Sequence, residues 1–165
     1  METELSKILL VRAGKLLARR SYSRGELGQK LAGLADTADV EAVLDRLAEL
    51  RLLNDADYAY NFVSYRLTRE GWGPLRIRRE LLERRVAPNL VDAALERVLD
   101  EAGEEAALKV YLARHAGKRG WPTDRKRIQR LVLHLERRGF TPEKVRRTLR
   151  QEIGADAWQR FETGE

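Results

Sequence analysis

The chain has 165 residues, with 32 Lys+Arg against 26 Asp+Glu, a formal net charge of +6, and no cysteine. That length allows one domain or a row of small repeats, with ~70% of the unfolded surface buried on folding. Without cysteine there is no disulfide framework, thiolate zinc site, iron–sulfur cluster or Cys nucleophile. No apolar run exceeds Ile8-Leu9-Leu10-Val11, far short of the ~20 residues of a membrane span, so no membrane partner is expected. Glu2 and Glu4 stand where a signal peptide wants positive charge, and a cytoplasmic protein is the expectation.

The composition favours helix. There are 26 Leu and 19 Ala but only 14 Ile plus Val, and 25 of the 32 basic residues are Arg. These are helix formers, whereas strands select β-branched and aromatic residues. Apolar spacing predicts nine helices, over 5–20, 23–34, 37–51, 55–70, 74–85, 89–101, 103–117, 123–138 and 142–152. Pro74, Pro88, Pro122 and Pro142 each precede a helical run, where the missing N–H costs nothing.

In chain order, Ser23-Arg24-Gly25-Glu26 has capping-box spacing at the second start. Leu53-Asn54-Asp55-Ala56-Asp57-Tyr58 offers an Asn cap, two acids in the first turn and a hydrophobic staple at the fourth. Val86-Ala87-Pro88-Asn89-Leu90-Val91 repeats the staple with Ala87 as a poor cap, and Phe140-Thr141-Pro142-Glu143-Lys144-Val145 repeats it with a good one.

The second, fifth and eighth predicted helices share an apolar pair, Leu27/Leu31, Ile77/Leu81 and Leu131/Leu135. The third, sixth and ninth share Val40/Leu44, Val91/Leu95 and Val145/Leu149. Tyr22, Trp72 and Trp121 precede the equivalent second helices, spaced to staple them, with base stacking or a protein interface as the functional alternative. The parallel matches predict an internal repeat: an all-α, elongated, curved array of three tandem three-helix repeats. Its expected boundaries are 1–53, 54–102 and 103–153, with a C-terminal tail over 154–165. Since each repeat of such an array touches only its neighbours, the radius of gyration should exceed the ~15 Å of a compact chain.

Charge alternates along the chain. Residues 58–85 carry seven basic and three acidic groups, 86–113 two and six, and 114–150 thirteen and three. Aligned in an array, the basic blocks would form a stripe suited to a nucleic acid or an acidic protein groove. Arg suits phosphate or carboxylate because its fork binds bidentately. The plainer alternative is a solvated surface with pairs such as Glu80–Arg84.

Catalytic patterns are missing. His115 and His134 fall in different predicted helices without a triad or zinc spacing, and none of the four serines lies in a nucleophile elbow. Gly71-Trp72-Gly73-Pro74 and Gly117-Lys118-Arg119-Gly120 are turns without the spacing of a phosphate loop. Asp55 and Asp57 suit a helix's first turn. A non-enzymatic protein without cofactor or metal is expected.

Ala18-Arg19-Arg20-Ser21-Tyr22-Ser23-Arg24-Gly25-Glu26-Leu27 resembles "AxRxxSxxEL", a segment near the start of the RecX family of recombinase regulators. Leu52-Leu53-Asn54-Asp55-Ala56-Asp57-Tyr58-Ala59 is similar to that family's "LLDDxxFA". Arg66 through Val86, with Gly71, Gly73, Pro74, Ile77, Arg78, Glu80 and Leu81, resembles "RxxxGxGPxxIxxELxxKG(I/V)", and Arg138-Gly139-Phe140 through Arg146 resembles "RGFxxxxIR". The chain departs from the pattern at Trp72, often basic there, at Arg85 in place of Gly, and in Gly33-Leu34-Ala35-Asp36, which lacks the usual Lys-Gly.

The resemblance spans roughly residues 13–150. It implies three-helix repeats that bind the RecA recombinase, chiefly as its nucleoprotein filament on single-stranded DNA. It also implies inhibition of ATP hydrolysis, strand exchange and co-protease activity, and so a part in DNA repair, recombination and the SOS response. Some members also bind DNA directly, single- or double-stranded. The residues it points to are Arg66, Arg69, Arg76, Arg78 and Arg79, helped by Lys118, Arg119, Arg125, Lys126 and Arg127. A monomer is the default for a groove binder. The alternatives are a stand-alone basic helical DNA-binding protein and a helical adaptor for another protein.

Overall fold

The computed structural model describes residues 4–115 and 120–164, so Lys118 and Arg119 lie outside the described residues. The described residues form ten α-helices and no strand: α1 (Glu4–Leu17), α2 (Arg24–Leu31), α3 (Thr37–Glu49), α4 (Asp55–Thr68), α5 (Pro74–Glu83), α6 (Pro88–Ala102), α7 (Glu104–His115), α8 (Arg125–Arg137), α9 (Pro142–Ile153) and α10 (Ala155–Thr163). The all-helical expectation holds, and nine helices stand where the apolar periodicity put them.

The helix starts follow from local chemistry. Ser23 and Glu26 form the expected reciprocal capping box on α2. The Asn54 side chain accepts from the N–H groups of Ala56 and Asp57 at 3.0 and 3.2 Å. Pro74, Pro88 and Pro142 are the first residues of α5, α6 and α9. Pro122 is not, because Asp124 caps α8 by accepting from Arg127 N at 2.9 Å. Thr141 also departs from expectation. It sits at the N-cap of α9, but its hydroxyl and N–H both donate to Glu104 Oε1, at 3.0 and 2.7 Å, so it ties α9 to α7 rather than capping its own helix.

Three helix ends share one geometry. After α3, α5 and α8 the chain turns through Arg51 (φ 56°), Arg85 (φ 59°) and Gly139 (φ 91°). In each case the following N–H reaches back to a carbonyl of the last turn: Leu52 to Leu47, Val86 to Leu81 and Phe140 to Leu135. This closure suits glycine, and only the third position has one.

The chain divides into two compact units. One comprises Met1–Asn61 and Glu80–Ala94, the other Phe62–Arg79 and Leu95–Glu165. In the first, α1, α2 and α3 close over Leu9, Ala13, Leu27, Leu31, Val40, Leu44 and Leu47, all buried. Full burial of each leucine or valine among them contributes roughly 1.5–3 kcal/mol. In the second, α9 packs on α7 and α8, burying Ile128, Leu135, Val145, Leu149 and Phe140. The apolar pairs that marked the repeat are buried throughout, except that Leu131 is half-exposed and Ile128 and Val132 bury the same face of α8.

The segment read as a C-terminal tail contains α10. Gly154 (φ 89°) redirects the chain, and α10 packs on α8 and α9 with Trp158 only 2% exposed and its ring centroid 5.0 Å from that of Phe161. A nine-residue helix is unstable alone. Burial of its aromatic anchors holds it.

Candidate interaction surface

The motif residues hold the scaffold together. Glu26 gathers the first unit: Arg20 Nη2 and Arg84 Nη1 donate to Oε1 at 3.2 and 3.4 Å, and Tyr58 Oη donates to Oε2 at 3.3 Å. Burial, reinforced by that carboxylate, pushes the Tyr58 hydroxyl's pKa up, so it stays a donor. Ser23 Oγ accepts from Glu26 N at 3.1 Å and donates to the carbonyl of Arg84. The Asp55 carboxylate accepts from Arg24 N at 2.6 Å; burial raises its pKa and that hydrogen bond opposes the rise. Arg84 also makes the expected pair with Glu80, at 2.8 Å.

In the second unit two glycine-containing segments lie backbone to backbone. Gly73 N donates to Arg138 O at 2.8 Å and Leu75 N to Gly139 O at 3.0 Å. Arg138 in turn donates through Nε to Gly71 O at 2.7 Å, and through Nη2 to Glu70 O. A methyl group on Gly73 would lie 2.0 Å from Phe140 N, and one on Gly139 would lie 2.4 Å from Arg76 N. Only glycines permit that approach.

Tyr111 completes the joint. Its ring would meet a methyl on Gly71 at 2.2 Å, Arg138 covers it at 4.6 Å, and His115 stacks on it at 4.1 Å. Tyr111 Oη lies 2.8 Å from His134 Nε2. His115 and His134 stand on different helices, α7 and α8, and the fold gathers both on one tyrosine. Burial lowers the His134 pKa, and the charges of Arg138, His115 and Arg137 lower it further. Among the described residues no group of His, Cys, Asp or Glu is placed to hold a metal ion, and no helix is long and apolar enough to cross a membrane.

The basic residues singled out by sequence divide by environment. Arg66 pairs with Glu70 and lies over Phe62 and Trp72, at 5.0 and 4.4 Å from the ring centroids. Arg76 lies over Trp72 at 3.7 Å. Arg69, just past the end of α4, and Arg78 and Arg79 on α5 are exposed, as are Arg125, Lys126 and Arg127 on α8. Arg127 pairs with the capping Asp124 at 3.2 Å. The Arg125 guanidinium lies against Gly164 at the end of α10, where the helix dipole favours a cation. Arg130 and Arg146, which sequence reading passed over, are exposed on α8 and α9.

The comparisons with known proteins settle the family. The family model for the second three-helix domain of RecX matches residues 54–95. A protein named Regulatory protein RecX from Halorhodospira halophila is 42% identical over 133 residues, 80% of each chain. The chain belongs to the RecX family. A second regulatory protein RecX, from Pseudomonas syringae pv. tomato, is 39% identical over 145 residues, covering 86% of this chain and 89% of its own. The crystal structure of RecX from Lactobacillus salivarius superimposes with a TM-score of 0.72 over 91% of this chain and 97% of that one, at 21% identity. A second RecX crystal structure gives 0.71 at 23% identity, over 90% of this chain and 72% of that one. Both show the shared helical fold. The RecX pattern residues Arg20, Ser23, Glu26, Gly71, Gly73, Arg138 and Gly139 are those found above in hydrogen bonds and close backbone contacts.

Proposed function

We infer that this protein is a non-enzymatic, cytoplasmic regulator of the RecA recombinase. It binds the RecA filament on single-stranded DNA and inhibits ATP hydrolysis, strand exchange and co-protease activity, and so modulates repair, recombination and the SOS response. Family membership supports the reading. The observation that carries it into this chain is the set of exposed basic side chains, Arg69, Arg78, Arg79, Lys126, Arg127 and Arg130. Such a surface docks on a polyanionic or acidic groove with little structural cost. Lys118 and Arg119 belong to the same proposal. A monomer of three three-helix repeats suffices, and no cofactor is required.

The test is charge reversal at Arg78 and Arg79 together, and at Lys126 and Arg127 together, read as affinity for RecA assembled on single-stranded DNA. Both double variants should bind several-fold more weakly, with thermal midpoints close to that of the parent. Undiminished binding by both removes these helices from the interface. Tight, strongly salt-dependent binding to naked DNA with no response to RecA would instead support a stand-alone DNA-binding protein.

A further inference from the structure

Trp72 occupies a position that is often basic in the family pattern, and its surroundings give it a particular task. The half-buried indole carries two guanidinium groups, Arg66 at 4.4 Å and Arg76 at 3.7 Å, with Phe62 set against it at a 6.5 Å centroid distance and 77°. The charge of Arg66 is compensated by Glu70. Arg76 has no carboxylate partner among the described residues. Its main chain is fixed as well, since the Gly139 backbone packs directly against its N and Cα. The residue is therefore held at both ends, and its charge is unspent.

We propose that Trp72 is a positioning residue that holds the Arg76 guanidinium ready to contact a phosphate of single-stranded DNA. Stacking uses the face of a guanidinium and none of its five in-plane N–H donors, so the edge stays available for a bidentate anion. Pre-setting a flexible side chain removes ordering cost at binding. The indole itself is taken by two guanidiniums and so does not act as a base-stacking platform. A phosphodiester chain fits better than a lone carboxylate because Arg69 in the turn after α4 and Arg78 and Arg79 on α5 are also exposed, and a polyanion can engage several of them. This inference rests on the proposed function for its setting, and its primary readout, binding to naked single-stranded DNA, uses no RecA.

The probe is a labelled oligothymidylate, titrated by fluorescence anisotropy from about 50 to about 200 mM salt. Arg76→Ala and Trp72→Leu should each weaken binding about two- to fivefold, the size of an exposed cation–π contact. Arg76→Ala should also lower the salt slope by ~0.7, the share of one phosphate on a single strand, whereas Trp72→Leu, which leaves the charge in place and removes only its pre-ordering, should keep the parent's slope. The double variant should bind no more weakly than Arg76→Ala, and Trp72→Phe, which keeps a ring under Arg76, should restore most of the affinity. Trp72→Met serves where Trp72→Leu does not fold. Wild-type affinity in the Trp72 variants, additive losses, or an Arg76→Ala loss at unchanged slope would overturn the proposal. So would an Arg76→Ala variant that loses RecA binding yet keeps DNA binding, because the ligand would then be a protein carboxylate. A wild-type protein that inhibits RecA but ignores the oligonucleotide would overturn this inference and leave the proposed function standing.

Discussion

Gly73→Ala is the sharpest perturbation of the joint between α5 and the α8–α9 turn. The added methyl would lie 2.0 Å from Phe140 N, 2.1 Å from Gly139 C and 2.2 Å from Gly139 O. All three are backbone atoms, so no side-chain rotation relieves the overlap and the two segments must part. Parting them breaks the hydrogen bonds from Gly73 N to Arg138 O and from Leu75 N to Gly139 O, and disturbs those from Arg138 to Gly71 O and Glu70 O. At a net contribution of about 1 kcal/mol each, the loss is about 3–4 kcal/mol. The lower unfolded-state entropy of Ala offsets about 0.5–1 kcal/mol of this. The remaining ~2–3.5 kcal/mol corresponds to a thermal midpoint lower by roughly 4–14 °C for a chain of this size. The assay is thermal unfolding followed by far-ultraviolet circular dichroism, with Gly14→Ala as control. Gly14 lies within α1 with nothing near a would-be methyl, so that change should stabilise by about 0.5–1 kcal/mol. A Gly73→Ala midpoint within a degree or two of the parent would refute the backbone-contact argument.

Arg85→Gly should stabilise by about 0.5–1 kcal/mol, because Arg85 adopts φ 59° where glycine is unstrained; denaturant titration checks it. Trp158→Ala should cost about 3–5 kcal/mol, or detach α10 outright, which faster amide exchange over 155–163 would reveal. For His134, folding lowers the pKa, so the unfolded chain takes up the proton first as pH falls below about 6.5. Its contribution is therefore present above that pH and lost as pH drops toward the folded-state pKa. Midpoints measured from neutral to mildly acidic pH should fall less steeply in His134→Gln than in the parent.

Local signals carried most of the fold. Capping boxes, first-position prolines and apolar pairs act within one helical turn, which is why α2, α4, α5 and α9 could be placed from sequence. Contacts across the chain were another matter. Gly71-Trp72-Gly73-Pro74 reads as a turn, but its pairing with Arg138-Gly139-Phe140 joins residues some 67 positions apart and leaves no periodic trace. Thr141 looked like a cap because spacing cannot reveal that Glu104 competes for its hydroxyl. α10 was missed because the Ala157-Trp158/Phe161 spacing is too short to register as a repeat, and only the packed face of α8 and α9 explains it. Charge counting found the basic blocks of the candidate surface. It could not separate Arg66, neutralised by Glu70, from Arg76, which stacks without a carboxylate among the described residues.

RecA's ATPase rate on single-stranded DNA, measured while this protein is titrated below one molecule per RecA, tests the regulatory role most directly. The rate should fall well before stoichiometric addition, as capping or disassembly of a filament requires. An unchanged rate at equimolar, demonstrably folded protein would contradict it.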